Sequence, residues 1–184
     1  MMDRLRKGLL YWLAAGLVFG CTLTLGAPIT PPPAADAAII PAGAAPPANG
    51  QQARVTRVID GDTIDVTIDG TGYRVRYIGI NTPERDEPCY SEATAANRAL
   101  VEGRTVTLVR DQSETDRFGR LLRYIYVDNI NVNAQLVAQG WAEAVEYPPD
   151  TAQTAFFREL ERRARAANLG CHPTGIFDDG SDTR

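Results

Sequence analysis

The chain has 184 residues, with 19 Lys plus Arg against 23 Asp plus Glu and a formal charge of −4, a length that suits one compact domain with an accessory segment. The acidic balance argues against a bulk electrostatic grip on nucleic acid, although a local one stays compatible with it. A single histidine and no Cys-x-x-Cys leave a zinc site without ligands.

Residues 1–26 open with Arg4, Arg6 and Lys7 and continue into an apolar run over 8–25. A basic start followed by an apolar run reads as an export signal, a lipoprotein signal or a membrane anchor. Val18-Phe19-Gly20-Cys21 resembles a lipoprotein cleavage site with Cys21 as the lipidated residue, and Ala35-Asp36-Ala37 has the small-x-small pattern of ordinary signal cleavage. All three routes place the domain outside the cytoplasm, either secreted or tethered to the outer face of the cell membrane. Residues 27–52 are rich in Pro and Ala, with little to bury, and read as a semi-extended tether. The domain proper is expected over 53–173, followed by an acidic, unstructured tail over 174–184.

Within the domain, 54–59 and 63–68 alternate polar and apolar residues as half-buried strands do, with Asp60-Gly61 as the turn between them. A second turn over 69–72 leads into a third strand over 73–80. A helix follows with Ser91 as its N-cap and Gly103 just past its end. Residues 105–110 and 121–127 read as strands four and five. Asn131 caps a short helix over 132–139 closed by Gly140, and the last helix runs from near Asp150 to Asn168. Its Phe156, Phe157 and Leu160 form an apolar stripe, with Arg158, Arg162, Arg163 and Arg165 on a solvated face. The order β-β-β-α-β-β-α-α predicts an α+β, mainly β domain, a five-stranded Greek-key barrel of the OB type with three helices. Trp141 and Tyr124 are expected in the core, and His172, beside Pro173, on the surface. Outside the cytoplasm, Cys89 and Cys171 are plausible disulfide partners. Closing so long a loop stabilises by roughly 4 kcal/mol in the chain-entropy model.

Three motifs carry chemistry in combination: Asp60-Gly61-Asp62-Thr63, the run from Arg76 to Glu84, and Asp116-Arg117-Phe118-Gly119-Arg120. Taken singly, each also reads as a turn, a rigid loop or a strand entry. Together they supply what phosphodiester hydrolysis needs: hard oxygen ligands for a divalent ion, a carboxylate to handle water, and guanidinium forks for phosphate oxygens. Asp62, the Asn81 side-chain oxygen and the Thr82 carbonyl suit the metal. Glu84 suits the water, and Arg76 and Arg120 suit the phosphate.

These motifs, in this order, closely resemble those of the staphylococcal nuclease (thermonuclease) family, over roughly 53–171. The resemblance implies that Asp62 binds metal, that Thr82 is a carbonyl ligand, and that Glu84 positions or deprotonates water. It implies that Arg76 and Arg120 bind the phosphate and its transition state. The implied reaction is Ca²⁺-dependent endonucleolytic cleavage leaving 3′-phosphate and 5′-hydroxyl ends; the expected substrates are DNA and RNA, single strands preferred, and a monomer is the default for a domain this small. Asn81 stands where the family's best-known member has aspartate, so one ligand charge is missing; Ca²⁺ should bind more weakly, and Mg²⁺ or Mn²⁺ is left open. The loop over 85–90 is short beside that member. Tyr147 fits one of the family's two base-binding tyrosine positions, Val145 replaces the other, and Phe118 replaces a further tyrosine. The competing reading is a non-catalytic extracellular OB-type module that holds nucleic acid or a protein. The charged residues of the three motifs, for which such a module has no need, favour the enzyme.

Overall fold

The computed structural model describes residue 46 and residues 48–180. Segment 1–26, with the lipidation candidate Cys21, and all but the end of the 27–52 tether lie outside the described residues. No helix among the described residues is long and apolar enough to cross a membrane.

Five strands form the barrel: β1 (Gln51–Val58), β2 (Thr63–Ile68), β3 (Thr71–Tyr77), β5 (Thr105–Val109) and β6 (Leu121–Val127). They lie in the order β3-β2-β1-β5-β6, with antiparallel neighbours. A parallel ladder from Val75↔Leu121 to Tyr77↔Arg123 joins the first strand to the last and closes the barrel. This is the mainly β, five-stranded OB-type architecture expected from the element order.

The burial pattern along β1 explains how it bends. Ala53 and Val55 point inward two residues apart, but the next buried residue is Val58. The missing step coincides with a register shift between Val55 and Arg57 against β2, the extra residue of a bulge that curls a strand. Strand β6 shows no alternation, and all seven of its residues are buried. One face lines the barrel and the other is covered by helix α2 (Val132–Ala138), against which α3 (Thr154–Ala166) packs. Phe157 of α3 is fully buried with its ring edge-on to Tyr124 at 6.0 Å. Tyr124 is core, as expected, and Trp141 is half-buried against it.

The third strand is interrupted. It ends at Tyr77, turns at Gly79 (φ 76°), and resumes as the two-residue β4 (Ile80–Asn81). A Cβ at Gly79 would stand 3.1 Å from the Phe157 ring, so the turn needs glycine both for its φ and for its clearance. Strand β4 pairs with β8 (Glu143–Ala144), and β7 (Ile130–Asn131) extends β6. These strands are too short to leave a periodic signal.

Helix α1 spans Tyr90–Val101, so Ser91 lies inside it rather than capping it. The N-cap is Cys89, held at φ 72° without a side-chain cap. It is disulfide-bonded to Cys171, 82 residues away with a Cα–Cα distance of 5.7 Å. Asn131 caps α2 through its side chain, which accepts from the Ala134 amide. Helix α3 starts at Thr154, four residues after Asp150. The Asp150 carboxylate instead accepts from the Gln112 and Ser113 amides, 2.8 and 2.7 Å away. Arg158, Arg162, Arg163 and Arg165 are exposed on α3, each in an ion pair.

The fold continues past residue 173. Short 3₁₀ helices over His172–Thr174 and Ile176–Asp178 bring Phe177 down to 5% exposure, against Ala93 and Cys171. Apolar burial therefore orders the first part of the segment assigned to the tail. His172 is accordingly buried rather than on the surface, edge-on to Phe177 at 5.3 Å, and neither ring nitrogen has a hydrogen-bond partner among the described residues. Burial, reinforced by the Arg165 charge, lowers its pKa from the ordinary 6.5. The unfolded chain therefore binds the proton more readily, and stability falls as pH drops below about 6.5. Melting temperature against pH should fall over that range in the wild type and less steeply in His172→Gln.

Candidate active site

The site forms where β2, the β3–β4 turn and the loop before β6 meet at one end of the barrel. Asp62 leads into β2. Its Oδ2 accepts from the Thr82 amide at 2.9 Å and the Thr82 hydroxyl at 3.1 Å, and its Oδ1 accepts from the Thr63 hydroxyl at 3.2 Å. Gly61 makes this approach possible, because a Cβ there would stand 2.6 Å from the Thr82 side chain. The Asp-Gly-Asp turn is thus packed directly against the Thr82 loop.

Arg76, the middle of β3's buried end, is 5% exposed. Its Nη1 donates to the Tyr77 and Ile80 carbonyls at 2.6 and 2.9 Å. Its Nη2 donates to Asn81 Oδ1 at 2.5 Å and stands 3.2 Å from Asp62 Oδ2. A buried pair of this kind holds geometry more than it adds stability. Removing one partner strands the other charge at a cost of about 3–5 kcal/mol.

Two residues to which the sequence assigned no role of their own shape this cluster. Asp60 Oδ1 accepts from the Asp62 amide at 3.1 Å. Burial, and then the Asp62 charge, push its pKa up to about 6. Asn97 of α1, fully buried, donates to the Asp60 carbonyl and accepts from the Tyr77 hydroxyl, both at 2.9 Å. It ties the Asp-Gly-Asp turn to α1 and to the floor of the barrel. Two carboxylates two residues apart were the available signal for Asp60. Asn97 had none, since its partners lie 37 and 20 residues away.

Glu84 follows Thr82-Pro83 on the exposed loop, its amide donating to Glu87 Oε2 at 2.7 Å. Partial desolvation, and then the Asp62 charge, raise its pKa, while Arg76 and Arg120 pull it down. Both arginines therefore reach it electrostatically.

Arg120 closes the tight turn from Asp116 to Arg120, where Gly119 has φ 77°. Its Nε donates to Asp116 Oδ2 at 2.6 Å, and its amide donates to Asp116 Oδ1 at 3.0 Å. Burial alone would raise Asp116, but these bonds and the Phe118 amide outweigh it and hold the carboxyl below its usual range. With Nε held, the outer edge of the guanidinium is left for a ligand. A cleft of about 460 Å³ is lined by Arg76, Asn81, Asp116, Phe118, Arg120 and Tyr147, among others. Phe118 is 68% exposed at its rim, while Val145 is buried and contributes nothing to it.

The site residues thus fall into place as follows. Asp62, Arg76, Asn81 and Thr82 are in direct contact; Arg76, Asn81, Arg120, Tyr147 and Phe118 share one cleft; and Glu84 stands within the fields of Asp62, Arg76 and Arg120.

Among the described residues no group of three or more His, Cys, Asp or Glu is arranged to hold a metal. The donors gathered here are nevertheless all hard oxygens: the Asp62 and Asp60 carboxylates, the Asn81 amide oxygen and the Thr82 carbonyl. Asp60 and Asp62 stand close enough that the Asp62 charge adds to burial in raising the Asp60 pKa. This set fits a hard divalent ion rather than zinc.

Known proteins resemble this chain in sequence. Residues 74–171 match the family model described as staphylococcal nuclease homologue. The chain is 39% identical over 121 residues to the SPbeta prophage-derived endonuclease YokF of Bacillus subtilis (strain 168), an overlap of 61% of this chain and 41% of YokF. It is 32% identical over 126 residues to a thermonuclease of Staphylococcus intermedius, 65% of this chain and 75% of that protein. Endonuclease YncB of Bacillus subtilis (strain 168) is 39% identical over 121 residues, 61% of this chain and 57% of YncB. The chain therefore spans less than two thirds of YokF and YncB and three quarters of the thermonuclease. With more than half its length inside the family model, the chain belongs to the staphylococcal nuclease homologues, a family of nuclease-type hydrolases.

Proposed function

We propose that this protein is an exported, metal-dependent phosphodiester endonuclease acting on DNA and RNA, single strands preferentially, and leaving 3′-phosphate and 5′-hydroxyl ends. The observation that carries the reading is the convergence of Arg76 and Arg120 on one cleft, with Glu84 in the field of both. A non-catalytic binding module has no use for a raised-pKa carboxylate within the fields of two guanidinium groups. The exported location rests on the sequence of segment 1–26, and a monomer is the default for a domain of this size.

In the proposed mechanism Asp62, Asn81 and Thr82 would hold the ion, Ca²⁺ in the first instance. Bound there, it supplies positive charge to neutralise a phosphoryl oxygen. Asn81 provides an oxygen without a charge, so half-saturation should need more Ca²⁺ than a fully carboxylate site would, and Mg²⁺ or Mn²⁺ remains able to serve. The Glu84 carboxylate orients a water and accepts its proton; its raised pKa brings it closer to the neutral range in which a base works best. Arg120, braced by Asp116, presents its free edge to the non-bridging oxygens as charge builds on them. Arg76 fixes Asn81 and Asp62 and lies in the same cleft wall, ready to share the phosphate. Tyr147 and Phe118 offer faces on which bases stack.

The test is end-group analysis of products from single-stranded DNA and RNA. Fragments that accept a 5′-phosphate from polynucleotide kinase without prior dephosphorylation are expected from both substrates. Fragments already carrying 5′-phosphates would contradict the assigned line of attack.

A further inference from the structure

A second groove, of about 550 Å³, lies on the other side of the Phe118–Arg120 wall. Its origin is the way the barrel closes. Strand β3 meets β6 only from Val75↔Leu121 onward. Before that point the two chains diverge, leaving Thr71, Gly72, Tyr73 and Arg74 exposed on one side and the Phe118-Gly119-Arg120 turn on the other. Phe118 and Arg120 line this groove as well as the active-site cleft, so the two depressions adjoin across one wall.

The groove's chemistry is that of a single-strand track. Tyr73 and Phe118 are two of the three large apolar side chains exposed among the described residues, at 41% and 68%. The Arg117 and Arg120 guanidinium carbons stand 4.7 and 5.5 Å from the Phe118 ring centroid. The one carboxylate in the lining, Asp65, is already matched by Arg74, whose Nε and Nη2 donate to it at 2.8 and 3.2 Å. Aromatic faces interleaved with guanidinium groups bind single strands without regard to sequence. A strand cut internally must also leave the cleft at both ends.

We propose that this groove is an extended subsite for the single-stranded nucleic acid flanking the scissile bond, with Tyr73 stacking a base beyond Phe118. The proposal rests on the nuclease reading for its choice of ligand but not on hydrolysis for its test. Oligothymidylates of three and ten nucleotides, dye-labelled, are titrated with the full chain in EDTA and read by fluorescence anisotropy; wild-type cleavage with metal is measured separately, so a failure of the nuclease reading shows there alone. Tyr73→Ala should weaken the ten-mer by about fivefold or more, the low end of one stacked base. It should leave the three-mer unchanged, and Tyr73→Phe should keep wild-type affinity for both. Equal affinity of wild type and Tyr73→Ala for the ten-mer would overturn the proposal. So would equal losses on both lengths, or a wild type that binds the ten-mer no more tightly than the three-mer.

Discussion

Replacing Arg120 by alanine is expected to lower the single-turnover cleavage rate on single-stranded DNA by about three orders of magnitude, the range of a guanidinium that meets charge developing on a transferring phosphoryl group. The side chain is half-buried at the rim and supports no core packing, so circular dichroism and melting temperature should stay close to wild type. Arg120→Lys should recover little, because an ammonium cannot be held by Asp116 through one nitrogen while presenting two others to phosphate. Asp116→Ala should cost less than Arg120→Ala, since it loosens the guanidinium without removing it. A rate within tenfold of wild type for Arg120→Ala would remove this residue from the chemistry.

The second large effect is on stability. The Cys89–Cys171 bond closes a loop of 82 residues in sequence separation. Reducing it should lower unfolding free energy by about 4 kcal/mol in the chain-entropy model, and melting temperature by on the order of 10 °C. A functional consequence accompanies the loss. Cys89 is the first anchor of α1, and α1 carries Asn97, which holds the Asp60 carbonyl and hence the turn bearing Asp62. Reduction should therefore raise the metal concentration needed for half-maximal activity before the protein unfolds. Thermal melts and metal titrations with and without dithiothreitol measure the two effects together. A reduced protein with unchanged melting temperature would show that α1 and the 3₁₀ segment hold each other by packing alone.

What could be read from the sequence follows from how local each feature is. Strands β2 and β5 show alternation within a few residues, and Asn131 caps its own helix, so these were visible directly. Strands β4 and β8 were not, because a two-residue ladder has no period and depends on a partner about sixty residues away. Ser91 looked like a cap by residue type, yet the backbone at Cys89 already bends into the left-handed region where the disulfide anchors it. Asp150 looked like a helix start for the same reason, while its carboxylate serves the 112–113 loop. His172 looked exposed beside a proline, but Phe177 folds back over it.

The candidate site divides in the same way. Asp62, Arg76, Asn81, Thr82, Glu84 and Arg120 stood out because three short motifs carry them. The residues that hold them in place, Asp60, Asn97 and Asp116, act through hydrogen bonds whose meaning appears only when the strands are assembled. Asp116 and Asp60 sat inside motifs already noted, as apparent turn residues. Their roles as braces for Arg120 and for the Asp62 amide come from the structure alone.

The most direct test of the account is digestion of single-stranded DNA by the full chain with Ca²⁺, Mg²⁺ or Mn²⁺, or with EDTA, beside Asp62→Ala. Internal cleavage with at least one of these ions, abolished by EDTA and lost in Asp62→Ala, is the predicted result. Cleavage that persists undiminished in EDTA, or a folded protein that cuts with none of the ions, would contradict it.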